Sequence, residues 1–144
     1  MAKPSRLDGL TKDITRDVLE HSHDLSKFFS EKEGITRAAA ARYILQLERE
    51  GWIARSGPST RPVFIPGNRR RVSKQYKLTN LEEDLIWTAD FRPYFNLSSN
   101  VLNIVLHGFT EMVNNAIDHS AGTSVFISAS LLENSFTLSV SDNG

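Results

Sequence analysis

The last part of the chain alternates apolar and polar residues on both sides of a turn signal. Apolar side chains stand at every second position over residues 125–131, and the same period returns over residues 136–140, after Glu133 and Asn134. A period of two predicts strands with one buried face. The segment is therefore predicted to be an amphipathic β-hairpin, whose apolar face needs a covering layer.

Residues 100–119 can supply that layer. Their apolar side chains recur three and four positions apart, which is the period of a helix with one buried face. These are Leu102, Leu106, Phe109, Val113 and Ala116. Ser98 or Ser99 is the predicted N-cap. A helix on an antiparallel hairpin predicts an α+β fold.

The first half predicts helices at residues 10–22 and 24–32, and a third at 37–50 between an N-cap at Thr36 and a terminating Gly51. Strands are predicted at 52–55 and 72–78, on either side of a Pro- and Gly-rich loop at 56–68. Three helices and a two-stranded wing would then form a domain over 1–79. A linker helix at 80–91, starting at Asn80 and stopped by Pro93, would lie in a linker at 80–97, and a second domain would cover 98–144.

Charge divides the chain in the same way. Residues 1–79 carry 16 of the 17 Lys and Arg and 9 of the 17 Asp and Glu, a formal charge of +7, and residues 80–144 carry −7. Halves so different in charge indicate different partners. There is no cysteine, and neither a secretory signal nor an apolar run of roughly 18 residues is present, so we expect a cytoplasmic protein that contacts no membrane.

Basic and small residues occupy the outer face of the predicted third helix, because Ala40, Ile44 and Leu47 take its core face. Arginine in that position can grip guanine or phosphate, and alanine lets the backbone approach closely. The wing adds further positive charge. The candidate DNA-binding residues are Thr36, Arg37, Ala38, Ala41, Arg42, Arg55, Arg61, Arg69, Arg70, Arg71 and Lys74.

This half resembles the winged helix-turn-helix of bacterial transcription regulators over about residues 8–79. The matching features are the turn residue Gly34, the capping Thr36, the early arginines of the helix, and Gly51 followed by Trp52 and Ile53. The resemblance implies that double-stranded DNA is the partner. Winged helices also serve in dimerisation and protein docking, so a protein partner is the alternative.

Polar residues share one face of the predicted long helix. Glu111, Asn115 and Asp118 fall within about 60° of one another at 3.6 residues per turn. An Asn carboxamide oxygen suits Mg²⁺ that carries nucleotide phosphates, and a carboxylate one turn earlier could polarise an attacking water or hydroxyl. Asp142, at the end of a strand, could accept a hydrogen bond from an adenine amino group, and Gly144 would let the ligand come close.

Together these motifs resemble the GHKL superfamily of gyrases, chaperones, histidine kinases and MutL-type repair proteins. Residues 111–120 are similar to its N box, and 142–144 to the start of its first glycine box. The resemblance implies ATP with Mg²⁺ as cofactor, Asn115 as the Mg²⁺ ligand, Asp142 as the adenine-binding residue and Glu111 as the general base. Asp118 would lie near bound water. His119 is interpreted as a structural residue at the helix end.

The resemblance also implies parts that the sequence does not contain, namely a second glycine box and an ATP lid. We therefore interpret the chain as a truncated piece of a longer protein, with no appreciable ATPase activity and weak nucleotide binding. Open strands at the sheet edge predict a homo-oligomer. The leading hypothesis is a DNA-binding regulator with an ATP-binding module. The alternatives are an anti-sigma-type protein kinase whose winged helix docks a protein, and a gyrase- or MutL-like DNA-processing ATPase.

Overall fold

A computed structural model describes residues 6–144, so the start of the predicted 1–79 domain, residues 1–5, lies outside the described residues. The order of elements is α1 (Arg6–Thr11), α2 (Ile14–Glu20), α3 (Leu25–Glu33), α4 (Arg37–Glu50), β1 (Ile53–Ser56), β2 (Val63–Pro66), β3 (Arg70–Lys77), α5 (Glu83–Ile86), a π-helical turn (Trp87–Phe91), a 3-10 turn (Arg92–Tyr94), α6 (Ser99–His119), β4 (Ser124–Leu132) and β5 (Ser135–Asp142). The α+β class is confirmed: helices with a two-stranded hairpin are followed by a long helix and a three-stranded antiparallel sheet. Within residues 6–144, no helix has the length and apolar character needed to cross a bilayer.

The chain forms two compact units. The first unit comprises residues through Arg71 together with Leu132–Asn134, and the second comprises Val72–Leu131 and Ser135–Gly144. Each has its own apolar core. Fully buried Leu10, Ile14, Phe29 and Leu47 are central to the core of the first unit.

Helix α4 has the predicted bounds because both of its ends are fixed locally. The Thr36 hydroxyl accepts a hydrogen bond from the Ala39 amide at 3.1 Å, and Gly51 takes a left-handed conformation with φ of 89°. Ala40, Ile44 and Leu47 face the core, as predicted.

Removal of this N-cap should weaken the first unit. We expect Thr36→Ala to lower the free energy of unfolding by about 1 kcal/mol, because the Ala39 amide loses its acceptor. Urea denaturation measures the difference. Thr60→Ala, in the exposed turn between β1 and β2, is the control and should change little; an equal loss in both variants would contradict the capping role.

The predicted first helix is two helices. Thr11 donates its hydroxyl hydrogen bond back to the Asp8 carbonyl at 3.1 Å, where α1 ends. Asp13 then precedes α2 and binds the Arg16 guanidinium at 2.8 Å. These local side-chain bonds compete with a continuous helix at this point.

The predicted wing is wrong in its second strand. Strand β2 lies inside the predicted loop at 56–68 and pairs with β1, with Ile53 opposite Pro66 and Ser56 opposite Val63. Pro66 stands at the end of the ladder, where its missing donor costs least. The strand expected at 72–78 is instead β3, which belongs to the sheet with order β3-β4-β5.

The predicted linker helix is short and irregular. It begins at Glu83 after Asn80, whose φ is 59°, so Asn80 is not the cap. The chain then tightens from the π-helical turn to the 3-10 turn that contains Pro93. Phe91 of this segment packs on Phe109 of α6, with ring centroids 5.7 Å apart.

Helix α6 and the hairpin agree closely with prediction. The helix starts at Ser99, and its Phe109, Val113 and Ala116 are buried. Val125, Ile127 and Ala129 of β4 are fully buried as well. Helix and sheet therefore enclose the core of the second unit.

One carboxyl group is buried in the first unit. Asp17 is 6% exposed, and its Oδ2 lies 3.0 Å from the Lys32 ammonium. Burial raises the pKa of Asp17 above the ordinary value, although the charge of Lys32 opposes the shift. The folded state therefore binds this proton more tightly than the unfolded state.

The stability of the first unit should depend on this proton. Between the ordinary and the raised pKa of Asp17, the carboxyl group ionises more readily in the unfolded state than in the folded state. The free energy of unfolding of the wild type therefore falls as pH rises, and Asp17→Asn, which has no proton to release at this position, does not show this fall. The free energy of unfolding of this variant should therefore rise relative to the wild type between the ordinary and the raised pKa, and stay level above both. Urea denaturation over a pH series measures this, with the exposed Asp84→Asn as control. A relative decrease with rising pH would refute it.

Candidate functional site

The second unit contains a cleft between α6 and the end of β5. Its volume is about 470 Å³. The lining residues are Met112, Asn115, Ala116, His119, Ser120, Ala121, Val140, Asp142 and Gly144. The structure thus brings together three predicted site residues from two distant segments, Asn115, Asp142 and Gly144.

Asn115 enters the cleft from the helix. Its side chain is exposed and makes no hydrogen bond within residues 6–144. Its carboxamide oxygen is therefore available as a hard neutral ligand. Such an oxygen fits a Mg²⁺ ion whose remaining ligands are phosphate oxygens and water.

Asp142 enters from the strand. Its Oδ1 accepts a hydrogen bond from the Gly144 amide at 3.0 Å, which fixes the carboxylate in a short turn. Oδ2 takes no part in that bond, so it can accept a hydrogen bond from a ligand amino group.

Two glycines bring the rim of the cleft together. A Cβ at Gly144 or at Gly122 would lie closer than 3.0 Å to atoms of the opposite segment. The Asn143 side chain joins the same segments, because its Oδ1 accepts from the Thr123 and Ser124 amides at 2.8 and 3.0 Å. Residues 142–144 therefore have separate tasks: Asp142 faces the cleft, Asn143 holds the loop, and Gly144 permits the close approach.

The remaining predicted residues of this face lie outside the lining. Glu111 and Asp118 are exposed on α6, and neither borders the cleft. Sequence reasoning missed Met112 and His119 as cleft residues and assigned His119 a structural role. The signal was present, because positions 112, 115 and 119 share a helix face with a spacing of three and four, and Val140 and Asp142 share a strand face.

The second candidate surface lies on the first unit. Thr36, Arg37, Ala38, Ala41 and Arg42 are all exposed on or beside the amino-terminal part of α4. Neither Arg37 nor Arg42 makes a hydrogen bond or ion pair among the described residues. Both guanidinium groups are therefore available to a partner.

The predicted wing arginines fall into two groups. Arg55 and Arg61 are exposed on the β1–β2 hairpin, and Arg55 also binds Glu48 at 3.1 Å. Its guanidinium lies 5.2 Å from the centroid of the Phe64 ring. Arg55 and Arg61 therefore remain accessible to a partner.

Arg69, Arg70 and Arg71 are half-buried and engaged within the fold. Arg70 donates to the Gly67 carbonyl at 2.9 Å, and Arg71 lies 4.8 Å from the Trp52 ring centroid and donates to the Thr11 hydroxyl at 3.3 Å. Burial lowers the pKa of Arg70, and it lowers that of Arg71 against the opposing charge of Asp8. Lys74 lies on β3 in the second unit, 3.5 Å from Asp90, and not on a wing.

The described residues contain no cluster of three or more His, Cys, Asp or Glu side chains that could hold a metal ion by itself. Comparisons of this chain with protein-family models, curated proteins and solved structures find no match.

Proposed function

We propose that this protein is a DNA-binding regulator whose second unit is an ATP-binding module of the GHKL type. The observation that carries the proposal is the cleft that Asn115 and Asp142 share. In the proposed complex, Asn115 holds the Mg²⁺ of the nucleotide, and Asp142 accepts a hydrogen bond from the adenine amino group. Glu111, the candidate general base, does not line the cleft. The proposed activity is therefore nucleotide binding and not hydrolysis.

The cleft is open, and Asn115, His119, Asp142 and Gly144 are exposed. Water therefore screens any charge interaction with phosphate, so the expected affinity is weak. Titration of the ¹⁵N-labelled chain with Mg-ATP should shift the Gly122 and Gly144 amides and saturate at millimolar nucleotide. Mg-GTP is the control, because guanine presents a carbonyl oxygen where adenine has its amino group, and Asp142 would repel it. Equal shifts with both nucleotides, or none with either, would remove the ATP assignment.

The DNA part of the proposal treats the first unit as a winged helix-turn-helix. Helix α4 would enter the major groove with Arg37 and Arg42 at its leading end, while Arg55 and Arg61 would contact the backbone. Four exposed arginines that each neutralise one phosphate give a slope of about −3.6 for log K against log salt. Fluorescence anisotropy on a labelled duplex measures this slope. Absence of DNA binding even at low salt would favour protein docking by this unit.

A further inference from the structure

Helix α6 has an apolar stripe on its exposed side. Val101, Ile104, Gly108 and Met112 follow one another at spacings of three, four and four, which places them on one face. Val101 is 40%, Ile104 72% and Met112 36% exposed, and Ile104 is the most exposed large hydrophobic residue of the described chain. Single exposed apolar residues are common, but an aligned group marks an interaction surface. These four residues are called the α6 stripe below.

Gly108 lies in the middle of the α6 stripe, and no packing contact within the described chain explains why this position is a glycine. Glycine within a helix costs about 1 kcal/mol relative to alanine. Apart from the adjoining residues and nearby backbone of α6 itself, a Cβ at Gly108 would find no atom of the described chain within 4 Å, so no tertiary contact requires its absence. A second helix that crosses α6 at this position would explain the glycine, because the side chains at a crossing set how closely two helices pack.

The stripe is also self-complementary. If two copies of α6 lie antiparallel about a two-fold axis at Gly108, Ile104 of each copy faces Met112 of the other, since both are four positions from Gly108. A pair of polar side chains fits the same arrangement. His107 and Glu111 flank the stripe, are exposed, and make no ion pair among the described residues. Across the axis, His107 of one copy lies beside Glu111 of the other.

We infer that the α6 stripe is the contact surface for a second copy of this chain, packed antiparallel through α6 with the crossing at Gly108. Stable interfaces bury roughly 1,200–2,000 Å², which four residues per copy do not reach. The dimer is therefore weak, and it forms reversibly as concentration rises. In the alternative arrangement, the edge strand β5 of one copy would pair with β5 of the other, and α6 would not take part.

Cysteine trapping distinguishes the two arrangements, because the chain has no cysteine of its own. The double variant Ile104→Cys/Met112→Cys places thiols at positions that face each other across the two-fold axis, within disulfide reach. It keeps Gly108 at the crossing, and within one chain the two thiols are roughly 12 Å apart along the helix, too far to pair. Ser139→Cys, exposed on β5, is the matched probe of edge pairing. We expect mild oxidation to yield a covalent dimer of this double variant that is suppressed in urea, and little of the S139C dimer. Trapping at Ser139 alone, or at neither position, overturns the inference.

Sedimentation velocity over a concentration series provides a second measurement. The wild type should shift from monomer toward dimer, and Ile104→Glu should remain monomeric because it buries a charge at the contact. Leu19→Glu is the control, since Leu19 is 50% exposed on the first unit, and it should associate as the wild type does. A wild type that is monomeric throughout, or an equal loss in L19E, also overturns the inference.

Discussion

A variant with Arg37→Ala and Arg42→Ala should bind duplex DNA at least about thirtyfold more weakly than the wild type. Each arginine contact with a base or phosphate at the head of a recognition helix contributes about 1 kcal/mol or more, and 2 kcal/mol corresponds to that factor. The salt slope should become shallower by about 1.8, because two phosphates lose their neutralising charge. Fluorescence anisotropy at several salt concentrations gives both quantities.

Arg49→Ala is the matched control. Arg49 is exposed on the same helix, but at its carboxyl-terminal end, so its removal changes net charge without touching the proposed contact. If Arg49→Ala weakens DNA binding as much as Arg37→Ala or Arg42→Ala does alone, general electrostatic attraction and not a docked helix would explain the binding. Unchanged binding in the double variant would contradict the role of α4.

Substitution of the adjacent arginines at 69–71 is a poorer experiment, although the sequence makes it attractive. Arg71 donates to Thr11 and packs on Trp52, and Arg70 donates to Gly67. Their loss would destabilise the first unit, so reduced DNA binding would not separate contact from folding. Arg37 and Arg42 have no such internal partners among the described residues, which makes them the sharper probe.

Asn115→Ala should abolish the saturable shifts that Mg-ATP causes at Gly122 and Gly144. In the proposed complex Asn115 supplies the neutral oxygen ligand, and an exposed site has little other interaction energy to compensate for its loss. The measurement is the same ¹⁵N titration under identical magnesium and nucleotide concentrations. This prediction depends on the proposed function of the second unit; Asn115 does not belong to the α6 stripe, although Met112 belongs to the stripe and also lines the cleft.

The neighbouring residue supplies the control. Asn114 carries the same side chain and differs by one position, but it is half-buried and does not line the cleft. Asn114→Ala should leave the shifts in place. If both variants lose them equally, a change in α6 itself would explain the result; if Asn115→Ala keeps them, the assignment of Asn115 is wrong.

Elements with local signals could be predicted closely from the sequence. The Thr36 hydroxyl and Gly51 fix the two ends of α4 within a few residues of the chain, and the alternation on both sides of Glu133 specifies β4 and β5. The break between α1 and α2 was missed because it depends on side-chain bonds of Thr11 and Asp13 that a hydrophobic period does not record. The irregular turns after α5 escape prediction because a short hydrophobic period does not distinguish α-helical turns from π-helical and 3-10 turns.

The candidate site was predictable in part. The types and spacing of Asn115, Asp142 and Gly144 identified them as candidates, and the structure brings them to one cleft. Glu111 and Asp118 share the helix face in projection, yet they lie outside the lining. A helical wheel gives the direction of a side chain, but it does not tell where along the helix the cleft ends.

The sequence by itself determined the helices and strands whose caps and periodicity lie within a short stretch of chain, because those interactions form between near neighbours. Only the tertiary structure decided that β3 joins β4 in place of β1, and that Arg71 is engaged while Arg37 makes no hydrogen bond or ion pair among residues 6–144. Strand pairing and burial depend on which distant segments meet, and residues of the same type then acquire different environments. That is why Arg71 and Arg37, and the adjacent Asn114 and Asn115, have different surroundings although each pair is of one residue type.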